Sequence, residues 1–236
     1  MKGECHTCND DTVWITKIHP IKVLAEIPSS VFSGTKQLYL IRNPIDMFVS
    51  EFLLFTAMSH SHKVNEDLRE HPAFKKSIQI AVERVNVMQR NVQRQAEHVP
   101  TLYLTYEMLM LEPYQTLTDI FRFFFDTPSL EGTVVEQRIK DVCAEGHASK
   151  AIYSLKTTNQ KDNLSRNRHS YTDSDIALIK HELRDILHFY GYTTHPTENN
   201  LTAFFEFDDQ TEEDLKRFRQ FRKLNEETLA KVGQVD

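Results

Sequence analysis

The sequence predicts a parallel α/β fold from two observations. Two short runs of β-branched and apolar residues, at positions 12–16 and 37–41, have the composition of buried strands. The second run is followed by a segment whose apolar residues recur at helical spacing, as on a helix with one buried face. Strands that alternate with helices are typical of parallel sheets, whose carboxyl ends line the crevice where ligands bind.

The first predicted strand is followed by two residues whose side chains can take part in a reaction, Lys17 and His19. Both would lie at the carboxyl end of the strand and therefore at the ligand-binding crevice. A cation and a base in that position indicate an anionic ligand and a proton that has to be moved.

The second predicted strand leads into Arg42 and then into the start of a helix. Asn43 is a favourable N-cap, and Pro44 suits the first helical position because its missing N–H costs nothing there. Asp46 and Ser50 are one turn apart on the same helical face. An arginine, a helix N-terminus and a serine hydroxyl together suit a phosphate group. Taken alone, the segment is better explained as an ordinary capped helix beside a solvent-exposed arginine.

The later elements are also consistent with an α/β fold. Helices are predicted over residues 65–97 with a break near Pro72, and over 113–124, 130–148, 173–190 and 211–232. Gly191 is expected to close the helix over 173–190, because glycine readily adopts the left-handed conformation of a helix end.

The composition changes after residue 192. We expect one domain over residues 1–192, followed by a linker and an acidic C-terminal helix over residues 193–236. Apolar residues at a spacing near three give this helix one docking face: Leu215, Phe218, Phe221 and Leu224. The face could dock on the same domain, on a second copy in a homo-oligomer, or on a partner protein.

Together these motifs resemble the sulfotransferase family, whose donor is 3′-phosphoadenosine 5′-phosphosulfate (PAPS). Members have a Lys-x-His element at one strand end and an Arg-x-x-x-Asp-x-x-x-Ser element after the next, and Arg42 and Ser50 have that spacing. Residues 101–107 are similar to the family's next strand, which ends in a Tyr-Glu pair, here Tyr106 and Glu107. The resemblance covers residues 12–192 and implies a three-layer, P-loop-like fold, with a parallel sheet flanked by helices.

The resemblance also implies a reaction and a set of roles. A sulfuryl group would pass from PAPS to a hydroxyl or amine of a small-molecule or glycan acceptor, without a metal. His19 would be the general base on the acceptor, and Lys17 would stabilise charge near the leaving 5′-phosphate. Arg42 and Ser50 would bind the 3′-phosphate of the donor, and Tyr106 would lie near its adenine.

Two elements of the family pattern are missing. No phosphosulfate-binding loop precedes the first strand, so we expect an N-terminally incomplete domain that is poorly stable and inactive alone. The Arg-Lys-Gly element before the closing helix is also missing. Arg166 and Arg168 are the cations we assign in its place, with Lys161 and His169 as further candidates, and a solvated loop explains this run nearly as well.

The missing loop leaves a second function open, namely a non-catalytic relative that binds a nucleotide or a partner protein.

The composition argues against several other classes of site and partner. The net charge of −6 argues against broad nucleic-acid binding. Three cysteines give no disulfide framework, and Cys5 and Cys8 with His6 supply only half of a zinc site, so we expect no metal. We expect a cytoplasmic location for the chain as written, and the Golgi membrane for a form with an N-terminal anchor.

Overall fold

The computed structural model describes residues 36–57, 69–70, 72–145, 167–193, 205, 207 and 211–234. In chain order the elements are β1 (Gln37–Ile41), α1 (Pro44–Ala57), α2 (Pro72–Ala96), β2 (Thr101–Thr105), α3 (Tyr106–Leu111), α4 (Pro113–Phe125), α5 (Val134–Glu145), a 3₁₀ helix (Arg168–Ser170), α6 (Asp173–Glu182), α7 (Arg184–Phe189) and α8 (Glu212–Ala230). None of the described helices has the length and apolar character that crossing a membrane requires.

The two described strands pair in parallel and in register, from Gln37 opposite Thr101 to Ile41 opposite Thr105. β1 has the predicted bounds, whereas β2 is shorter than predicted. Tyr106 and Glu107 begin α3 instead, because the Thr105 side chain caps that helix by accepting from the Met108 N–H. The parallel α/β class is confirmed for this part of the chain. The strand predicted over residues 12–16 lies outside the described residues.

Helices cover the two faces of the strand pair. Tyr39, Ile41 and Tyr103 are buried in the larger core, whose other residues come from α1, α2, α6, α7 and the segment around α8. On the opposite face, Leu102 and Leu104 pack in a smaller cluster with Phe123, Val232 and their neighbours. Alternate residues of β1 and β2 thus serve different cores, as the two-residue period of a strand requires.

The starts of the helices follow from local capping. At α1, the Asn43 side chain accepts a hydrogen bond from the Ile45 N–H at 3.1 Å, and Pro44 takes the first helical position, as predicted. At α6, Thr172 and Asp175 form a capping box in which each side chain binds the other residue's backbone N–H. The first turns of α1 and α6 are therefore specified by their own sequences.

Two predicted helices have different bounds in the structure. The helix predicted over 173–190 is divided at Leu183, where the backbone leaves the helical conformation. Leu183 and Leu187 are both fully buried, so the apolar period continues across the break and hides it. The helix predicted from residue 130 begins at Val134, because Gly132 adopts a φ of 73°. Gly191, with a φ of 74°, ends the segment after α7 as predicted.

The helix α8 packs against the outer edge of β2. The Asn225 side-chain amide donates to the Tyr103 carbonyl at 2.6 Å and accepts from the Tyr103 N–H at 3.0 Å. This amide makes the contacts that a neighbouring strand would make. Phe221 packs beside it against Phe189 and Tyr190. Phe221, one of the four residues of the predicted docking face, therefore contacts the same chain.

Replacement of Asn225 by Ala should lower the free energy of unfolding by about 2–4 kcal/mol, because two buried backbone groups of Tyr103 lose their partners. Urea unfolding measures the effect. The matched control is Asn86→Ala, which also replaces an asparagine inside a helix. It removes an exposed hydrogen bond from the Asn86 side-chain amide to the Glu182 carbonyl at 3.1 Å. Its effect should stay within about 0.5 kcal/mol. Equal effects of the two variants would contradict the assignment of Asn225 as a surrogate strand partner.

Candidate functional site

The candidate site lies where β1 and β2 end side by side. Because Ile41 is paired with Thr105, the next residues, Arg42 and Tyr106, are neighbours at the same edge. The guanidinium carbon of Arg42 lies 4.7 Å from the centroid of the Tyr106 ring, in a cation–π contact. The convergence of strand ends that the sequence predicts is therefore present for these two residues.

Arg42 is held on its other side by the first turn of α1. Its terminal nitrogen lies 4.0 Å from Oδ2 of Asp46, and the Arg42 side chain is only 22% exposed. The Nε of Arg42 is buried and has no hydrogen-bond partner among the described residues. A largely buried guanidinium with an unused donor is a candidate for binding an anion.

The turn after Arg42 is fixed by a buried carboxylate, Glu107. The backbone N–H of Asn43 donates to Oε1 of Glu107 at 2.9 Å, and the Tyr192 hydroxyl donates to Oε2 at 2.8 Å. Glu107 is 1% exposed. Burial raises the pKa of Glu107, and the hydrogen bonds from Asn43 and Tyr192 and the charge of Arg42 oppose that rise.

The segment around the 3₁₀ helix packs on the first turns of α1. The Tyr171 hydroxyl donates to the Ile45 carbonyl at 2.5 Å and is buried, and the Asn167 amide donates to the Asp46 carbonyl at 3.5 Å. Arg168 follows Asn167 and is exposed. The structure thus brings Asn167 and Tyr171, on either side of Arg168, to the helix that carries Asp46.

The other predicted site residues have different positions. Ser50 lies on α1, one turn beyond Asp46, and is half-buried. Lys17, His19 and Arg166 lie outside the described residues, so their roles stay predictions. Among the residues that the structure describes, no group of three or more His, Cys, Asp or Glu side chains could hold a metal ion.

A family model described as "Sulfotransferase domain" matches residues 16–174 of the chain. The chain belongs to the sulfotransferase family. No curated protein and no solved structure was found to match it. The matched range of this sulfotransferase includes both strands, the crevice at Arg42 and Tyr106, and the 3₁₀ helix, whereas Tyr192 and α8 lie beyond it.

Sequence reasoning missed the structural role of Glu107. The residue was noticed as part of a Tyr-Glu pair, but its two partners lie 64 and 85 residues away along the chain. The available signal is an acidic residue two positions after a strand of buried residues, where burial of a carboxyl group needs compensation. The roles of Tyr171 and Tyr192 gave no comparable signal.

The raised pKa of Glu107 predicts a pH dependence of stability. Above the ordinary glutamate pKa of 4.5, the folded protein retains a proton on Glu107 that the unfolded chain has lost. The folded state then binds more protons, so the free energy of unfolding falls as the pH rises through this window. Relative to Glu107→Gln, which cannot titrate, the native protein should lose stability as the pH rises above 4.5.

Urea unfolding of both proteins at stepped pH measures this difference. Glu136→Gln is the control with the opposite sign, because Lys140 and the Gly132 N–H lower the pKa of the exposed Glu136. Its difference from the native protein should be slight and should grow with rising pH. A Glu107 difference that also grows with rising pH would show that the hydrogen bonds to the carboxylate outweigh its burial.

Proposed function

We propose that this sulfotransferase transfers a sulfuryl group from PAPS to a hydroxyl or amine of a small-molecule or glycan acceptor. Membership of the family supports sulfuryl transfer in general. The observation that carries the choice of donor is Arg42, a largely buried arginine at a strand end with an unused Nε donor among the described residues. We further propose that the complete domain is a three-layer, P-loop-like fold.

The geometry around Arg42 supports a phosphate ligand. The Arg42 guanidinium is held over the Tyr106 ring, and its planar set of donors suits two parallel hydrogen bonds to phosphate oxygens. The N-terminus of α1 begins next to it, and its dipole favours negative charge. Ser50 adds a hydroxyl on the same helix. We assign the 3′-phosphate of the donor to this group and its adenine to the side of Tyr106.

The proposed reaction moves one group and one proton. The acceptor oxygen or nitrogen forms a bond to sulfur, while the bond from sulfur to the 5′-phosphate oxygen breaks. His19 takes the acceptor proton, and Lys17 stabilises the charge that develops on the leaving adenosine 3′,5′-bisphosphate. Positioning and charge stabilisation dominate such a transfer, as they do in phosphoryl transfer. Arg166 and Arg168 are proposed as further contacts to the 3′-phosphate, and we propose no metal and no nucleic-acid partner.

The alternative is a non-catalytic member of the family that binds the nucleotide and transfers nothing. The same Arg42 site would serve it. The two functions differ in whether sulfate leaves the donor, so a binding experiment and a transfer experiment are both needed.

The donor assignment predicts a preference for adenosine 3′,5′-bisphosphate over AMP. Charge-assisted hydrogen bonds contribute about 1.5–3 kcal/mol each, so Arg42→Ala should remove about tenfold or more of that preference. Titration calorimetry of the full chain with both nucleotides measures it. Arg84→Ala is the matched control, since Arg84 is also partly buried but pairs with Glu51 outside the crevice. Equal affinities of the native protein for the two nucleotides would refute the donor assignment.

The catalytic assignment predicts a separate result for His19. In a form of the protein that transfers sulfate, His19→Ala should lower turnover by about 10²–10⁴-fold and leave donor affinity nearly unchanged. Transfer of labelled sulfate measures turnover, and His98→Ala, at an exposed position after α2, is the control. Full turnover in His19→Ala would exclude His19 as the base. Nucleotide binding without transfer in the native protein would favour the non-catalytic alternative.

A further inference from the structure

We propose that Glu107 is a positioning residue that, together with Tyr192, holds Arg42 in the orientation that binds the 3′-phosphate. The inference rests on the proposed function, because it concerns how that phosphate is selected. Glu107 and Tyr192 themselves touch neither Arg42's proposed ligand nor the reacting atoms in this assignment.

Glu107 joins three segments that are distant in sequence: the turn after β1, the start of α3 and the turn after α7. One carboxylate oxygen binds the Asn43 N–H at 2.9 Å, and the other binds the Tyr192 hydroxyl at 2.8 Å. Since Asn43 follows Arg42 directly, this bond fixes the backbone from which the Arg42 side chain departs.

The start of α1 does not need the Glu107 carboxylate as a helix cap. The Asn43 side chain already caps the helix by accepting from the Ile45 N–H. An apolar residue at position 107 would avoid the cost of taking a polar carboxyl group out of water. The carboxylate therefore supplies something that capping and packing do not, namely a fixed position for the Asn43 N–H and for the residue before it.

Tyr192 in turn fixes the orientation of the Glu107 carboxylate. Tyr192 is 1% exposed and directly follows Gly191, whose positive φ turns the chain back after α7. Its hydroxyl occupies the oxygen of Glu107 that Asn43 does not use. With both oxygens bound, the carboxylate cannot rotate away from Asn43 without losing a buried hydrogen bond.

Two tyrosines give a matched test. Tyr192→Phe removes the hydroxyl that binds Glu107, whereas Tyr190→Phe removes a hydroxyl of the same buried cluster that donates to Gln89 Oε1 at 3.0 Å. Calorimetry of the full chain compares the affinities for adenosine 3′,5′-bisphosphate and AMP. We expect Tyr192→Phe to lower the preference for the bisphosphate by about tenfold, the size of one misplaced charge-assisted hydrogen bond. We expect Tyr190→Phe to leave the preference unchanged.

The ratio of affinities separates positioning from stability. A variant that merely unfolds in part binds with lower stoichiometry, but its folded molecules keep the native ratio. Two substitutions of Glu107 add a rescue test. Glu107→Gln can still accept from the Asn43 N–H through Oε1 and donate to Tyr192 through Nε2, so it should retain the preference within a few-fold. Glu107→Leu can do neither and should lose it.

The outcomes are distinct from those of the proposed function. If the native protein shows no preference for the bisphosphate, the donor assignment fails, and this inference fails with it. If the native preference is present and Tyr192→Phe retains it, or if the two tyrosine variants lose it equally, only the positioning role is overturned. If Glu107→Leu does not fold, the comparison of Tyr192→Phe with Tyr190→Phe still decides whether the positioning role is present.

Discussion

The parallel pairing of β1 with β2, with Ile41 opposite Thr105, is the constraint on which the candidate site depends. Parallel strands end at the same edge, so the residues that follow them must be neighbours there. This places Arg42 against the ring of Tyr106 and opens α1 and α3 from the same edge. An antiparallel pair, or a slip of one residue, would send the two side chains to different places.

Side chains from later in the sequence form hydrogen bonds with backbone groups of β2 and of the turn and helix that follow β1. Backbone groups that leave the strand ladder need partners if they are buried. The Asn43 N–H binds Glu107, the Ile45 carbonyl accepts from Tyr171, and both ladder groups of Tyr103 bind Asn225. Tyr171 and Asn225, from the last third of the chain, thereby satisfy backbone groups of α1 and β2, and the same part of the chain supplies apolar surface for the core.

The features that the sequence predicts well are the local ones. The strand at 37–41 and the start of α1 follow from composition and from the Asn43–Pro44 pair, which act over a few residues. The strand at 101–107 is predicted from the family resemblance, and its last two residues begin α3 instead. The break at Leu183 escapes prediction because the apolar period continues through it. The bond between Asn225 and Tyr103 spans 122 residues, and the two bonds of Glu107 also span long separations, so no local pattern encodes them. Lys17 and His19 stay predictions from their motif.

The claim that the crevice at Arg42 is a 3′-phosphate site is tested most directly by a crystal structure of the chain with adenosine 3′,5′-bisphosphate. The account predicts that the 3′-phosphate lies within hydrogen-bond distance of the Arg42 guanidinium and the Ser50 hydroxyl, with the adenine on the side of Tyr106. A nucleotide bound away from the ends of β1 and β2, or bound there with its 3′-phosphate away from Arg42, would contradict it.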